Sequence, residues 1–302
     1  PIPHLTNTLC RESLQFLCRF RAYTFLLGSD VFHFFSARSL LIFLREENVK
    51  FHCEKGKKIT QKMLPKVILL ACGSYSPPTP MHFRMFEIAR DHFQQMGTAD
   101  VVAGVVSPVH DSYGKKGLVP AKHRTAMLKL ALKTSDWIRV SEWETHQDAW
   151  TRTRVTLQYH QNYINSLLND ESKTEKIPSW MPSSLKQMIG TVQVKLLCGA
   201  DLLESFSVPG LWENDDVEAI LSNHGLVVIS RSGSNPEQFI FNSDLLSKYR
   251  RNITIVTNWV PNEVSSTMIR RLVSRGQSVK YLVEDGVVDY IIKHSLFGAN
   301  SQ

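Results

Sequence analysis

From Lys66 onward, short unbroken apolar runs alternate with longer stretches whose apolar positions recur at helical spacing. Val67 to Cys72 is such a run and ends at Gly73, the pattern of a strand buried on both faces of a parallel sheet. Met81 to Met96 follows with Phe86, Ala89 and Phe93 aligned on one face, which predicts a helix. The alternation continues with strands predicted at Val101 to Val106, Trp137 to Val140, Val192 to Cys198, Leu226 to Ile229 and Ile253 to Val256. Helices are predicted at Ala121 to Lys133, Trp150 to Leu168, Ser265 to Arg275 and Val287 to His294. Strands alternating with helices predict an α/β fold with a doubly wound, Rossmann-like parallel sheet. Residues 169–191, rich in Asp, Glu, Ser and Lys with Pro178, Pro182 and Gly190, break the pattern and are expected to form a long, flexible surface loop. No internal repeat is visible.

Composition refines this picture. Of 302 residues, 43% are hydrophobic and 21% charged, an ordinary globular balance. The net charge of +7 is concentrated at one end, since residues 1–64 carry ten Lys/Arg against five Asp/Glu. The remainder is only slightly basic, which suits a polyphosphate-handling enzyme and does not call for nucleic acid. Residues 1–64 are read as an extension outside a single catalytic domain at 65–298. Their Arg-rich, acid-poor start weakly resembles a transit peptide, and an extension without a fold of its own is the favoured reading. The first residue is Pro, as expected of a fragment or a processed chain, and removal of residues 1–60 is expected to leave activity intact. The compartment stays open between nucleus and cytoplasm, or mitochondrion if the extension is a transit peptide. No run is apolar enough to span a membrane. Five cysteines without a CxxC argue against disulfides or a zinc site, and Cys72 and Cys198, ending apolar runs, are expected to be structural.

Two segments carry candidate chemistry. Gly73-Ser74-Tyr75-Ser76-Pro77-Pro78-Thr79-Pro80-Met81-His82 stands between a predicted strand and helix, where open parallel sheets bind ligands. A glycine lets backbone amides approach a phosphate, and the helix start adds free N–H groups and a positive dipole end. The segment is neither a Walker A loop nor a dinucleotide fingerprint, and alone it reads equally as a plain strand–turn–helix link. The second segment is Val264-Ser265-Ser266-Thr267-Met268-Ile269-Arg270-Arg271, where a serine caps a helix and Arg270 lies one turn in.

Together these segments resemble the two signatures of the nucleotidylyltransferase superfamily, with Tyr75 in place of the usual Phe, Thr79 in the slot of a first His and Met81 in place of Gly. The resemblance covers Lys66 to about Phe297 and is closest to the eukaryotic nicotinamide/nicotinic acid mononucleotide adenylyltransferases. It implies transfer of the adenylyl group of ATP to either mononucleotide, giving NAD or deamido-NAD and pyrophosphate, with Mg²⁺ on the triphosphate and no metal-ligating residue assigned. It implies catalytic roles for His82, Lys115 and Arg270. It implies ATP contacts from Gly73, Ser74, Tyr75, Thr79, His82, Lys116, Asn262, Ser265, Ser266, Thr267, Met268, Ile269 and Arg270. The mononucleotide and NAD would be met by Gly73, Ser74, Lys115, Trp143, Trp150, Thr153, Gly199, Asp201, Leu211, Trp212 and Arg231. Glu144 belongs to the stretch that resembles the pyridine-binding segment. Without the resemblance, both Trp143 and Trp150 read as core residues and Asp201 equally as a helix cap. Expected partners are the two substrates, with neither nucleic acid nor a membrane involved and a homo-oligomer left open. The alternatives are a pantetheine-phosphate or choline-phosphate nucleotidylyltransferase, or an added chaperone role for which the sequence offers no client-binding feature.

Overall fold

The computed structural model describes residues 64–169, 177–182, 185, 191–231 and 233–299. The expectation for the extension therefore lies outside the described residues, apart from Leu64. Strands β1 (Lys66–Gly73), β2 (Asp100–Pro108), β3 (Ile138–Val140), β4 (Val192–Gly199), β5 (Leu226–Ile229) and β6 (Ile253–Val256) form one sheet in the order β3-β2-β1-β4-β5-β6. Every pairing is parallel, with Leu70 opposite Val105 on one side and Leu196 on the other. This is the doubly wound order that reverses direction between its first and fourth strands, so the crevice beyond Gly73 and Gly199 is the switch point.

The helices are α1 (Pro80–Met96), α2 (Ala121–Ala131), α3 (Thr153–Asn169), α4 (Ala200–Ser205), α5 (Asn214–Asn223), α6 (Pro236–Phe241), α7 (Asp244–Lys248), α8 (Ser266–Ser274) and α9 (Asp285–Lys293). Alternate residues of β1 face opposite layers, as a strand buried on both sides requires. Ile68 and Leu70 pack with Leu157 and Ile164 of α3 and Ile220 of α5, while Val67 and Leu69 pack with Phe86 and Phe93 of α1. Gly104 permits close docking of α1, since a Cβ there would stand 2.6 Å from Phe86 Cδ1. A third cluster joins Met127 of α2 to Ile269 and Val273 of α8 and Val287 and Ile291 of α9. It fixes α8 against the β1–β2 half of the molecule.

Three expectations need correction. The helix expected from Trp150 begins at Thr153, because the Arg152 carbonyl accepts the Val155 and Thr156 amides at 2.9 and 3.2 Å. Trp150 is left outside it. Part of the expected surface loop is core, since Trp180, Met181 and Leu185 are 3%, 3% and 0% exposed and join the cluster under α3. Trp180 packs edge-on against His160 with ring centroids 4.6 Å apart, and burying its apolar area in this cluster favours the inward position. Residues 170–176, 183–184 and 186–190 of that loop lie outside the described residues. Finally, α5, α6 and α7 lie where no helix was expected. Among the described residues, no helix is long and apolar enough to cross a membrane.

Candidate active site

A cavity of about 1150 Å³ opens beyond the carboxyl ends of β1 and β4. Its wall on the β1 side is the Gly73–His82 segment, whose geometry is set residue by residue. Tyr75 takes a left-handed φ of 47° and is buried, and its hydroxyl donates to the Ala71 carbonyl at 2.9 Å. A phenylalanine at this position lacks that bond, so the Tyr form of the loop is tied back onto its own strand. The Ser76–Pro77 peptide is cis. The Ser76 hydroxyl donates to the Gly117 carbonyl at 3.3 Å and receives the Val119 amide at 3.4 Å, which holds the loop carrying Lys115 beside it.

His82 sits in the first turn of α1, and its ring stands edge-on to Tyr75 with centroids 5.1 Å apart. The Thr79 backbone N–H donates to His82 Nδ1 at 2.9 Å, and the Thr79 hydroxyl lies 2.8 Å from the same atom. An Nδ1 that accepts an amide proton carries none of its own, so the neutral ring places its hydrogen on Nε2. Burial pushes the ring down to about 4, with the Lys115 charge acting the same way and Asp201 opposing.

The second segment closes against the first. Ser265 caps α8, its hydroxyl accepting the Met268 amide at 3.3 Å. The Ser266 hydroxyl donates to the Pro77 carbonyl at 2.7 Å, and Arg270 Nη1 donates to the Ser76 carbonyl at 2.8 Å. Arg270 Nη2 donates to Thr267 Oγ1 at 3.2 Å. Two helix starts distant in sequence thus face one cavity, each with its positive dipole end, although Pro80 has no N–H and the His82 amide is taken by the Thr79 carbonyl at 3.0 Å.

Most of the expected site residues line this cavity: Gly73, Ser74, Tyr75, Thr79, His82, Lys115, Trp150, Thr153, Gly199, Asp201, Leu211, Trp212, Arg231, Asn262, Ser265, Ser266, Thr267 and Arg270. Four do not. Lys116 is an exposed neighbour of Lys115 outside the lining. Met268 is 47% exposed outside the lining, and Ile269 is 0% exposed in the cluster with Met127, because a helix turns each successive side chain to a new face. Trp143 stacks on Tyr159 with ring centroids 4.1 Å apart and planes 10° apart, so one face of its indole is covered by protein, and it lies outside the lining.

Other residues in or behind the cavity wall carried no assigned role in the sequence, Glu144 having been placed only within the stretch that resembles the pyridine-binding segment. Cys72, expected to be purely structural, is partly buried and lines the cavity floor, where burial and the Glu144 charge push its thiol well up. Glu144 is 2% exposed and accepts Ser107 and Thr156 hydroxyls at 3.0 and 3.5 Å, and burial pushes its carboxyl up to about 7. Arg124, 0% exposed, underpins both phosphate-side loops by donating to the carbonyls of Ser74, Val109 and Val119 and to Asp111. Arg152 and Arg154 also line the cavity, with Asp216. The charge run around Lys122 hid Arg124, and no spacing rule singles out the other two.

The family described as cytidylyltransferase-like matches residues 70–272, which contain both segments and everything between. The chain is 58% identical over 249 residues to nicotinamide-nucleotide adenylyltransferase of Drosophila melanogaster, covering 80% of this chain and 64% of that protein. It is 43% identical over 254 residues to nicotinamide/nicotinic acid mononucleotide adenylyltransferase 1 of Bos taurus, covering 78% of this chain and 90% of that one. The chain belongs to the nicotinamide/nicotinic acid mononucleotide adenylyltransferases. The Arabidopsis thaliana member is 41% identical over 231 residues, covering 76% of this chain and 90% of its own length. The chain thus spans about two thirds of the fly adenylyltransferase and nearly all of the bovine and plant ones. A solved structure, Plasmodium falciparum nicotinic acid mononucleotide adenylyltransferase complexed with APC, superposes with a TM-score of 0.53 at 17% identity. It covers 78% of this chain and 100% of that one, and it shows the shared adenylyltransferase fold.

Proposed function

We propose that this chain carries out the family's reaction, the transfer of the adenylyl group of ATP to nicotinamide or nicotinic acid mononucleotide. The observation that carries the reading is the joining of the two signature segments by the Ser266–Pro77 and Arg270–Ser76 bonds around one cavity. An oxygen of the mononucleotide phosphate attacks the α-phosphorus of ATP in line with the departing bridge oxygen. One P–O bond forms, one breaks, and pyrophosphate leaves with the electron pair. The nucleophile is already an anion, so no general base is needed, and catalysis rests on alignment and charge neutralisation.

In this proposal His82 acts as a neutral donor. Its Nδ1 is engaged by Thr79, so Nε2–H is the group offered to a phosphate oxygen. Lys115 and Arg270 supply positive charge, and the α1 and α8 starts supply amide donors to the triphosphate. Trp150, Leu211 and Trp212 hold the pyridine ring, for which a flat cationic ring on tryptophan is well suited. Asp201 accepts from ribose hydroxyls. Gly199 has room for this only because it lacks a Cβ, which would stand 2.5 Å from Asp201 Oδ1.

Among the described residues no group of three or more His, Cys, Asp or Glu could hold a metal ion. Mg²⁺ would be carried on the nucleotide phosphates, with the Asp201 carboxylate on the β4 side of the cavity within its reach. When bound, the ion neutralises triphosphate charge. The relatives are named for pyridine mononucleotides and not for pantetheine phosphate or choline phosphate. The test incubates purified protein with ATP, Mg²⁺ and each candidate phosphate acceptor. Dinucleotide and pyrophosphate are expected to appear in equal amounts with pyridine mononucleotides. Faster turnover with pantetheine phosphate or choline phosphate would reverse the assignment.

A further inference from the structure

Lys115 and Arg270 belong to separate parts of the chain, yet the reaction above asks both charges to fall on one set of phosphates. Lys115 opens a turn that the Leu118 N–H closes by donating to the Lys115 carbonyl at 3.1 Å. Gly117 lies inside this turn with a left-handed φ of 77°. A Cβ on Gly117 would stand 3.4 Å from Arg270 Nε, so the backbone of the Lys115 turn runs close beside that guanidinium. Both cations line the cavity, and the Lys115 charge is felt at the His82 ring, which it pushes down.

Ser76 touches both parts. It is buried and is not among the residues that line the cavity. Its hydroxyl donates to the Gly117 carbonyl at 3.3 Å and accepts the Val119 N–H at 3.4 Å. Its own carbonyl accepts Arg270 Nη1 at 2.8 Å. One residue therefore grips the Lys115 turn through its side chain and Arg270 through its main chain.

The hydroxyl bonds are longer than the usual ~2.7–3.0 Å and stabilise the fold only weakly. Val119 also has a second and shorter anchor, since its carbonyl accepts Arg124 Nε at 2.8 Å. Loss of the Ser76 hydroxyl thus leaves the far side of the loop tied down by Arg124 and releases the turn that carries Lys115. A catalytic charge displaced by about 1 Å can cost ~10²-fold in rate while binding and folding persist. We propose that Ser76 is a positioning residue that sets Lys115 relative to Arg270, so that both charges meet the ATP phosphates together. The inference rests on the adenylyl-transfer reading of the same cavity.

The test measures kcat and KM with radiolabelled ATP in wild type, Ser76→Ala, Lys115→Met and the double variant, with thermal melts of each. Ser76→Ala is expected to lower kcat about ten- to hundredfold, with the KM for ATP changed only a few-fold and Tm within a few degrees of wild type. In the Lys115→Met background the same substitution is expected to lower kcat less than about threefold, because two residues that act through one another are not additive. Ser76→Cys, which replaces the hydroxyl by a weak donor, is expected to show the same pattern and carries the measurement if the alanine variant does not fold. An unchanged kcat overturns the inference. So does an equal loss in both backgrounds, which would mean that Ser76 does not act through Lys115. In both cases the adenylyl-transfer reading stands. Failure of the wild type to form dinucleotide would remove that reading itself.

Discussion

Arg124 offers the sharpest test of how the cavity is built. It is fully buried, and its guanidinium donates to Val119 O at 2.8 Å, Ser74 O at 3.2 Å, Val109 O at 2.6 Å and Asp111 Oδ1 at 2.8 Å. Replacement by Met keeps most of the apolar stem and removes every donor. Each stranded buried carbonyl costs ~1–3 kcal/mol. The sum over three overstates the effect, because the vacated volume admits water and Asp111, 49% exposed, rehydrates. A net loss of ~3–5 kcal/mol is expected, the range for breaking a buried ion pair by removing one partner. For a domain of this size that corresponds to roughly 6–20 °C in Tm. Urea unfolding of Arg124→Met and wild type measures the difference directly. Arg124→Lys is expected to lose nearly as much, since a single ammonium cannot reach three divergent carbonyls. A loss below about 1 kcal/mol in both variants would refute the view that this side chain holds the Ser74 and Val119 loops together.

Other outcomes follow from the same geometry. His82→Ala is expected to lower turnover ~10²–10³-fold, the usual worth of one preorganised donor, with Tm within a few degrees of wild type; near-normal dinucleotide synthesis would remove His82 from the mechanism. The two tryptophans should separate cleanly. Trp143→Ala, which breaks the stack on Tyr159, is expected to cost about 2–3 kcal/mol of stability with KM changed only a few-fold. Trp150→Ala, at a residue 42% exposed, is expected to leave stability unchanged and raise the mononucleotide KM, and the reverse pattern would exchange their roles. Glu144 predicts a pH effect. Its folded pKa of about 7 lies above the ordinary 4.5, so between these values the folded state holds a proton that the unfolded state has lost. Its contribution to stability therefore falls as pH rises from about 4.5 to 7. Stability of wild type relative to Glu144→Gln, followed by denaturation across that range, should decline with pH, and a flat or rising difference would contradict the burial argument.

The sheet was legible because its strands are buried on both faces, which leaves uninterrupted apolar runs such as Val67 to Ala71 that polar surroundings cannot imitate. The two phosphate-side segments were legible because a turn, a helix start and a charged residue one turn in must be contiguous. What could not be read was whatever depends on which side of an element meets its neighbours. Trp143 and Trp150 lie in the same polar stretch, and only the point where α3 starts separates a stacked residue from a cavity residue. Met268 and Ile269 share a segment with Arg270 but are rotated away from it. Arg124 stands among lysines in a helix that reads as solvated, and only the carbonyls converging on it from Ser74, Val109 and Val119 reveal its role. Helices α5 to α7 are ten residues or fewer, too short for a period to emerge.

The Arg270–Ser76 and Ser266–Pro77 bonds join residues 194 and 189 positions apart. A polypeptide emerging from the ribosome has completed the last strand of its sheet at Val256, yet the serines and arginine of the second segment come later. Contacts so remote in sequence form late, after the local elements they bridge. A chain stalled or cleaved just before Ser265 thus retains all six strands and the first loop, and lacks the two side chains that tie the far wall of the cavity to that loop.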